Sequence, residues 1–295
     1  MKKLIFVFIV IGLTVAVNCT AQVVSSGKAS ILINNIPKPA TPIVFEPNTI
    51  VQPAADEFTV GTGKYYALVI GIDKYSDPQI TPLDFCRRDA NAFYNTLTKN
   101  YTFDKENVTL LEDATYNDIQ NALEDFAKKV KPIDNFLIFY AGHGYWNKTS
   151  ETGFWIPSDG QKNSTRNWFR NSVLRDFLKE INSKHTLLIT DACFSGGIFK
   201  TRTAFSDASV AINRLYELPS RKAMTSGNLT EVPDQSIFLK YLIDKLEKNS
   251  EKYLSSEQLF SSFRIAVMNN SDTQPLYGEI KDVGDEGGDF IFIHR

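Results

Sequence analysis

Two apolar runs in this sequence end in residues able to do nucleophilic chemistry. "FLIFYAGHGYWN" (136–147) carries Gly142-His143-Gly144 at its tip, and "HTLLITDACFSGG" (185–197) carries Asp191-Ala192-Cys193 followed by Ser195, Gly196 and Gly197. A thiol beside an imidazole makes a nucleophile, because the His helps remove the thiol proton and then protonates the leaving amine. Glycines on either side permit sharp turns and let backbone N–H groups approach a bound carbonyl. The N–H groups of Gly144 and Cys193 are the candidates to stabilise a tetrahedral oxyanion. Taken singly, a His beside Gly is often a turn residue and a buried Cys a small hydrophobe. Two such tips, each ending an apolar run among glycines, point to a catalytic pair.

Enumeration narrows the choice. The histidines are His143, His185 and His294, and the cysteines are Cys19, Cys86 and Cys193. His294 is the penultimate residue, at a frayed or edge position. His185 opens the run that Cys193 closes, so a strand there separates its ends by roughly 20 Å. His143 and Cys193 remain, and Cys86 reads as a packing residue.

The elements that must position them follow from periodicity. Apolar strands are expected over 65–72, 107–113, 134–142, 185–192, 221–227 and 288–293. Helices are expected over 87–100, 115–130, 171–182, 236–249 and 255–269, where apolar residues recur every three or four positions. Strands that are continuous apolar runs and alternate with helices predict an α/β fold with a mostly parallel sheet covered on both faces. Ligands of such sheets bind outside the carboxyl ends of the strands, where both tips lie.

The two motifs resemble those of the caspase-like cysteine peptidases, closest to the metacaspase and bacterial branch. Cys193 lies 50 residues after His143, a separation of the kind seen in caspases. "YYALVIGIDKY" resembles the family's first strand, "LDFCRRDANAF" its Cys-x-x-Asp-Ala segment, and "IPSDG" the stretch after the His. "AMTSGN", "SIFLKYL" and "GDEGGDFIF" resemble later elements, so the likeness covers about residues 65–294. It implies a caspase-like three-layer α/β/α sandwich and endopeptidase activity on polypeptides. Phe194 departs from the His that many relatives carry after the nucleophile.

The resemblance also implies a substrate pocket. Metacaspases hold Arg or Lys in an acidic pocket, and Asp89 and Asp191 stand at the matching positions. Two carboxylates suit a guanidinium or ammonium. True caspases place Arg there and cut after Asp, and Arg87 and Arg88 lie close by. Thr225, Ser226 and Gly227 are expected to hold the substrate backbone by strand-like pairing. Segment 198–220 corresponds to the linker cut on caspase activation, and Lys200, Arg202 and Arg214 are candidate self-cleavage points. The other reading of 198–220 is an ordinary helical connection. A protein that keeps the fold and binds without turnover is the alternative function, against which the intact His143, Cys193 and both acids count.

Other classes are excluded or weak. Formal net charge is −2 with no basic block, so no nucleic-acid footprint is visible. The Cys and His are too few for a zinc site. No cofactor is expected; the acidic "DVGDEGGD" (282–289) could hold calcium but reads as a turn. Lys2 and Lys3 precede an apolar stretch from Leu4 to Val17, which is shorter than the roughly 20 residues a span needs and reads as a secretory signal. Cleavage after Ala21 is expected; lipid attachment at Cys19 ranks second because Asn18 is bulky. Loss of 1–21 removes two lysines and no acids, taking the net charge from −2 to −4. The mature protein would be secreted or periplasmic, without a stable span. Residues 22–63 hold five prolines and read as a linker-like pro-segment, with 64–295 as the peptidase domain.

Overall fold

The computed structural model describes residues 63–192, 198–200, 211–227 and 234–295. The expected signal segment 1–21, the pro-segment apart from Gly63, Cys193 and Arg202 lie outside the described residues. In chain order the elements are β1 (Tyr65–Gly71), α1 (Cys86–Asn100), β2 (Val108–Glu112), α2 (Tyr116–Lys129), β3 (Asn135–Ala141), β4 (Gly144–Asn147), β5 (Thr152–Trp155), β6 (Phe169–Arg170) and α3 (Asn171–Glu180). There follow β7 (His185–Asp191), β8 (Phe199–Lys200), α4 (Ala211–Glu217), β9 (Ser220–Thr225), α5 (Ile237–Glu247), β10 (Tyr253–Ser255), α6 (Ser256–Asn270), β11 (Leu276–Ile280) and β12 (Ile291–Ile293).

The main sheet has the order β2-β1-β3-β7-β9-β11-β8. Strands β2, β1, β3, β7 and β9 run parallel, and β11 and β8 join antiparallel. Every residue of β1, β3 and β7 is buried, which is why these strands read as unbroken apolar runs. Successive side chains go to opposite faces. Leu137, Phe139, Leu187 and Ile189 pack with Phe93, Leu97, Leu242 and Phe263 of α1, α5 and α6. Phe136, Ile138, Tyr140 and Leu188 pack with Ile119, Leu123, Leu174 and Leu178 of α2 and α3. The chain is therefore an α/β/α sandwich with a mostly parallel sheet, as expected.

Helix starts follow capping chemistry. Thr115 and Asp118 form a capping box on α2, and Ser255 and Gln258 one on α6. The Ser236 hydroxyl caps α5 by accepting from the Leu239 N–H. Gly71 lets α1 approach the end of β1: a Cβ there would lie 2.6 Å from the Cys86 carbonyl oxygen and 2.7 Å from the Ala90 Cβ.

Three features differ from the expectation. A separate sheet, β4-β5-β6, follows directly on His143, where the sequence suggested no strand. The expected last strand shortens to β12 and pairs with β10 in a ribbon of its own, while β11 joins the main sheet. His294 is at an edge but is not frayed: it bridges Tyr101, and its N–H donates to the Lys252 carbonyl. No described helix is long and apolar enough to cross a membrane.

Candidate active site

His143 stands just past the end of β3, next to β7 in the sheet. The two strands pair in register from Asn135↔His185 to Ala141↔Asp191, a constant offset of 50 residues. The candidate pair, 143 and 193, has that same offset in the chain. The structure describes β7 as far as Asp191 and the following Ala192; Cys193 itself lies outside the described residues.

The segment carrying His143 is held on all sides. Its N–H donates to the Tyr75 hydroxyl at 3.0 Å. Its carbonyl accepts from the Tyr140 hydroxyl at 2.7 Å and from the Ile156 N–H at 3.0 Å. The Tyr140 hydroxyl reaches that carbonyl because Gly142 has no Cβ, which would lie 2.8 Å from the hydroxyl oxygen. The imidazole packs against the Tyr75 ring, centroids 5.1 Å apart. Its Nε2 lies 2.8 Å from the Thr81 carbonyl oxygen. A carbonyl only accepts, so Nε2 carries the proton and Nδ1 presents its lone pair. This is the tautomer a general base needs, fixed by a third group.

Gly144 opens β4 opposite Trp155. The bond from the Ile156 N–H to the His143 carbonyl makes Gly144–Trp155 a non-hydrogen-bonded pair, so the ladder leaves the Gly144 N–H unused. That N–H is one of the two expected oxyanion donors.

The two candidate pocket acids lie on neighbouring elements. Asp191 ends β7 and is 6% exposed, and its Oδ1 has no hydrogen-bond partner among the described residues. Burial pushes its carboxyl up to about 7, with the Asp89 charge adding and the Ser226 and Ser236 hydroxyls opposing. Asp89 sits in the first turn of α1 and is also buried. Burial raises its pKa, and the Arg88 guanidinium acts against that. Asp234 adds a third charge that bears on Asp89, and its carboxylate accepts from the Asp84 N–H. Cys86 is a buried free thiol in this acidic setting. Burial first, then Asp191 and the other carboxylates, push its pKa far up, so it stays protonated and inert, which suits the packing role expected of it.

The remaining candidates fall in different places. Thr225 is fully buried inside the sheet, paired with Thr190 of β7 and Leu276 of β11. Its backbone is used by its neighbours and is closed to a substrate strand. Ser226 and Gly227 lie past the end of β9; the Ser226 N–H donates to the Thr190 carbonyl, and the Ser226 hydroxyl faces the Asp191 carboxyl. Lys200 is in β8 opposite Glu279, and Arg214 is in α4. His185 is at the opposite end of β7, buried and hydrogen-bonded to Asn135 and Tyr216. In the acidic loop 282–289, Asp285 accepts from Arg221, Lys222 and Gly287, and Asp289 from Ser256, Tyr277 and Phe290. Those two carboxylates tie the turn together.

Residues 64–281 match the model of the caspase domain, peptidase family C14. The chain belongs to the caspase-domain family. Caspase-domain proteins with curated names include Metacaspase-1 of Kluyveromyces lactis, 28% identical over 98 residues, and Metacaspase-1 of Saccharomyces cerevisiae, 27% over 96 residues. Each match covers 30% of this chain and 22% of the relative, so the chain spans about a fifth of the length of these relatives. A crystal structure of a Geobacter sulfurreducens protein shares the fold, with TM-score 0.52 and 19% identity over 77% of this chain and 99% of that one. The family is one of cysteine-type peptidases.

Sequence reasoning missed the Thr81 carbonyl, Tyr75, Tyr140, Ser236 and Asp234. Tyr75 lies within a quoted motif, and its hydroxyl could have been suspected. A backbone carbonyl leaves no mark in a sequence.

Proposed function

We propose that this protein is an exported cysteine endopeptidase that cuts polypeptides after Arg or Lys, with Cys193 as nucleophile and His143 as its base. The observation that carries this reading is the held His143. Its Nε2–H is engaged by the Thr81 carbonyl and its Nδ1 is left as an acceptor, one strand away from the strand that leads into Cys193.

The chemistry follows from that geometry. His143 Nδ1 takes the thiol proton, and Cys193 Sγ bonds to the substrate carbonyl carbon as its oxygen becomes an oxyanion. The N–H groups of Gly144 and Cys193 donate to that oxygen. The carbon–nitrogen bond then breaks and His143 returns the proton to the leaving amine. Water, deprotonated by the same Nδ1, cleaves the thioester and frees the acid and the thiol. The Thr81 carbonyl stabilises the imidazolium that forms at each step and keeps the ring in place. No cofactor enters.

The basic preference rests on Asp191, a buried carboxylate with one oxygen unpartnered among the described residues, and on Asp89, whose charge bears on it. A substrate guanidinium or ammonium supplies the missing partner. Lys200, Arg202 and Arg214 are the candidate points of self-cleavage in segment 198–220.

Fluorogenic peptides with Arg, Lys or Asp before the reporter test the reading. Turnover of the basic peptides that disappears in Cys193→Ala is expected. Equal rates with and without the thiol would leave a binding protein, and preference for Asp would overturn the pocket. The amino terminus of the exported protein is expected at Gln22.

A further inference from the structure

We propose that Arg88 is a tethered occupant of the acidic pocket, and that a substrate's basic side chain binds by taking its place at Asp89. This role rests on reading Asp89 and Asp191 as the pocket for the residue before the cleaved bond. The Nε and Nη2 of Arg88 both donate to Asp89 Oδ1, at 3.0 and 2.8 Å. Residues adjacent in a helix do not face each other. The pairing therefore requires the Arg88 side chain to fold back across the start of α1, where its guanidinium also lies 4.3 Å above the Phe85 ring. The neighbouring Arg87 turns away, to Glu112 and Asp113.

The burial of the two partners is unequal. The Asp89 side chain is 11% exposed and the Arg88 side chain 56%. The carboxylate belongs to the pocket, whereas the cation approaches from solvent and can leave. Three carboxylates converge here, Asp89, Asp191 and Asp234, and Arg88 is the guanidinium bonded to Asp89. An arriving guanidinium makes the same charge-assisted bonds as the one it displaces. Its gain at Asp89 is then small, and the new contact falls on the unpartnered oxygen of Asp191. Arg88 thus sets how tightly a basic side chain is held, and withholds the pocket from weakly bound cations.

Agmatine, a small guanidinium, titrated calorimetrically into the full chain carrying Cys193→Ala, reads the pocket without turnover. Adding Arg88→Gln is expected to tighten agmatine about two- to five-fold, the range of an exposed ion pair. In the active protein the same substitution lowers KM for Arg peptides by that factor with kcat unchanged. Arg87→Gln removes the same charge one residue away and is expected to leave agmatine affinity as it was. Equal affinity with and without Arg88 overturns the proposal, as does equal tightening by Arg87→Gln, which would indicate only a change in net field. If agmatine binds none of the three proteins, the pocket reading itself is wrong.

Discussion

Replacing Asp191 with Asn is expected to make the protein more stable and the enzyme less effective, by amounts that change with pH. Asp191 ends β7 with a carboxyl raised to about 7 by burial. An unfolded Asp titrates at about 3.9, so the folded state holds this proton more tightly than the unfolded state does. The sign is therefore a penalty. It is absent below about pH 4, grows as pH rises through the interval up to about 7, and is complete above that. At 1.36 kcal/mol per pKa unit it approaches about 4 kcal/mol on the alkaline side. Asn keeps the shape and loses the charge, so most of that penalty disappears. The same charge is what a basic substrate side chain meets. Its loss should cost about 1.5–3 kcal/mol of binding, a drop of roughly ten- to a hundred-fold in kcat/KM for Arg peptides. Urea unfolding at pH 4.5 and pH 8 measures the first effect, and steady-state kinetics the second. Expected is a midpoint difference between wild type and Asp191→Asn that is large at pH 8 and small at pH 4.5. A variant less stable than wild type at pH 8 would refute the assignment of Asp191 as a buried carboxylate whose charge is poorly compensated.

Gly142→Ala places a methyl 2.8 Å from the Tyr140 hydroxyl; a destabilisation of about 1–3 kcal/mol and a large loss of kcat are expected, read by thermal unfolding and peptide turnover. Tyr75→Phe removes the acceptor of the His143 N–H and should cost about 1 kcal/mol of stability, with a several-fold fall in kcat and little change in KM. His185→Ala tests the opposite end of the strand. Burial lowers the His185 pKa to about 4, so its native form is neutral and its contribution is lost as pH falls from about 6.5 towards 4. The alanine variant should be less stable by about 1–3 kcal/mol while kcat of the folded fraction is unchanged, since the ring is buried far from the catalytic edge.

Much of the scaffold was legible because burial on both faces leaves a plain mark. Strands β1, β3 and β7 are buried at every residue and appear as unbroken apolar runs within one residue of their ends. The strands that escaped are short or half-buried. Strand β4 reads Gly-Tyr-Trp-Asn with no residue fully buried, β8 has two residues, and β11 reads Leu-Tyr-Gly-Glu-Ile with only its last residue buried. Nothing in such stretches separates a strand from a loop. The site divides along a similar line. Side chains whose chemistry is their identity, His143 and Asp191, were visible as residue types at strand ends. The Thr81 carbonyl was not, because every residue carries one and only the fold brings this one to the imidazole. Thr225 was read as a substrate contact from its motif, whereas the pairing of β9 on both sides takes its backbone.

The pairing of Cys193 with His143 is most directly read from the thiol's own reactivity. Iodoacetamide alkylation across pH 5–9, followed by peptide mass spectrometry in wild type and His143→Ala, reports thiolate formation residue by residue. Cys86, buried and strongly protonated, serves as the unreactive reference in the same sample. In wild type, Cys193 should react well below the ordinary thiol range, and in His143→Ala its profile should move up towards a pKa of about 8.5. Coincident profiles for the two proteins would mean that the imidazole does not act on the thiol, and the dyad would have to be abandoned.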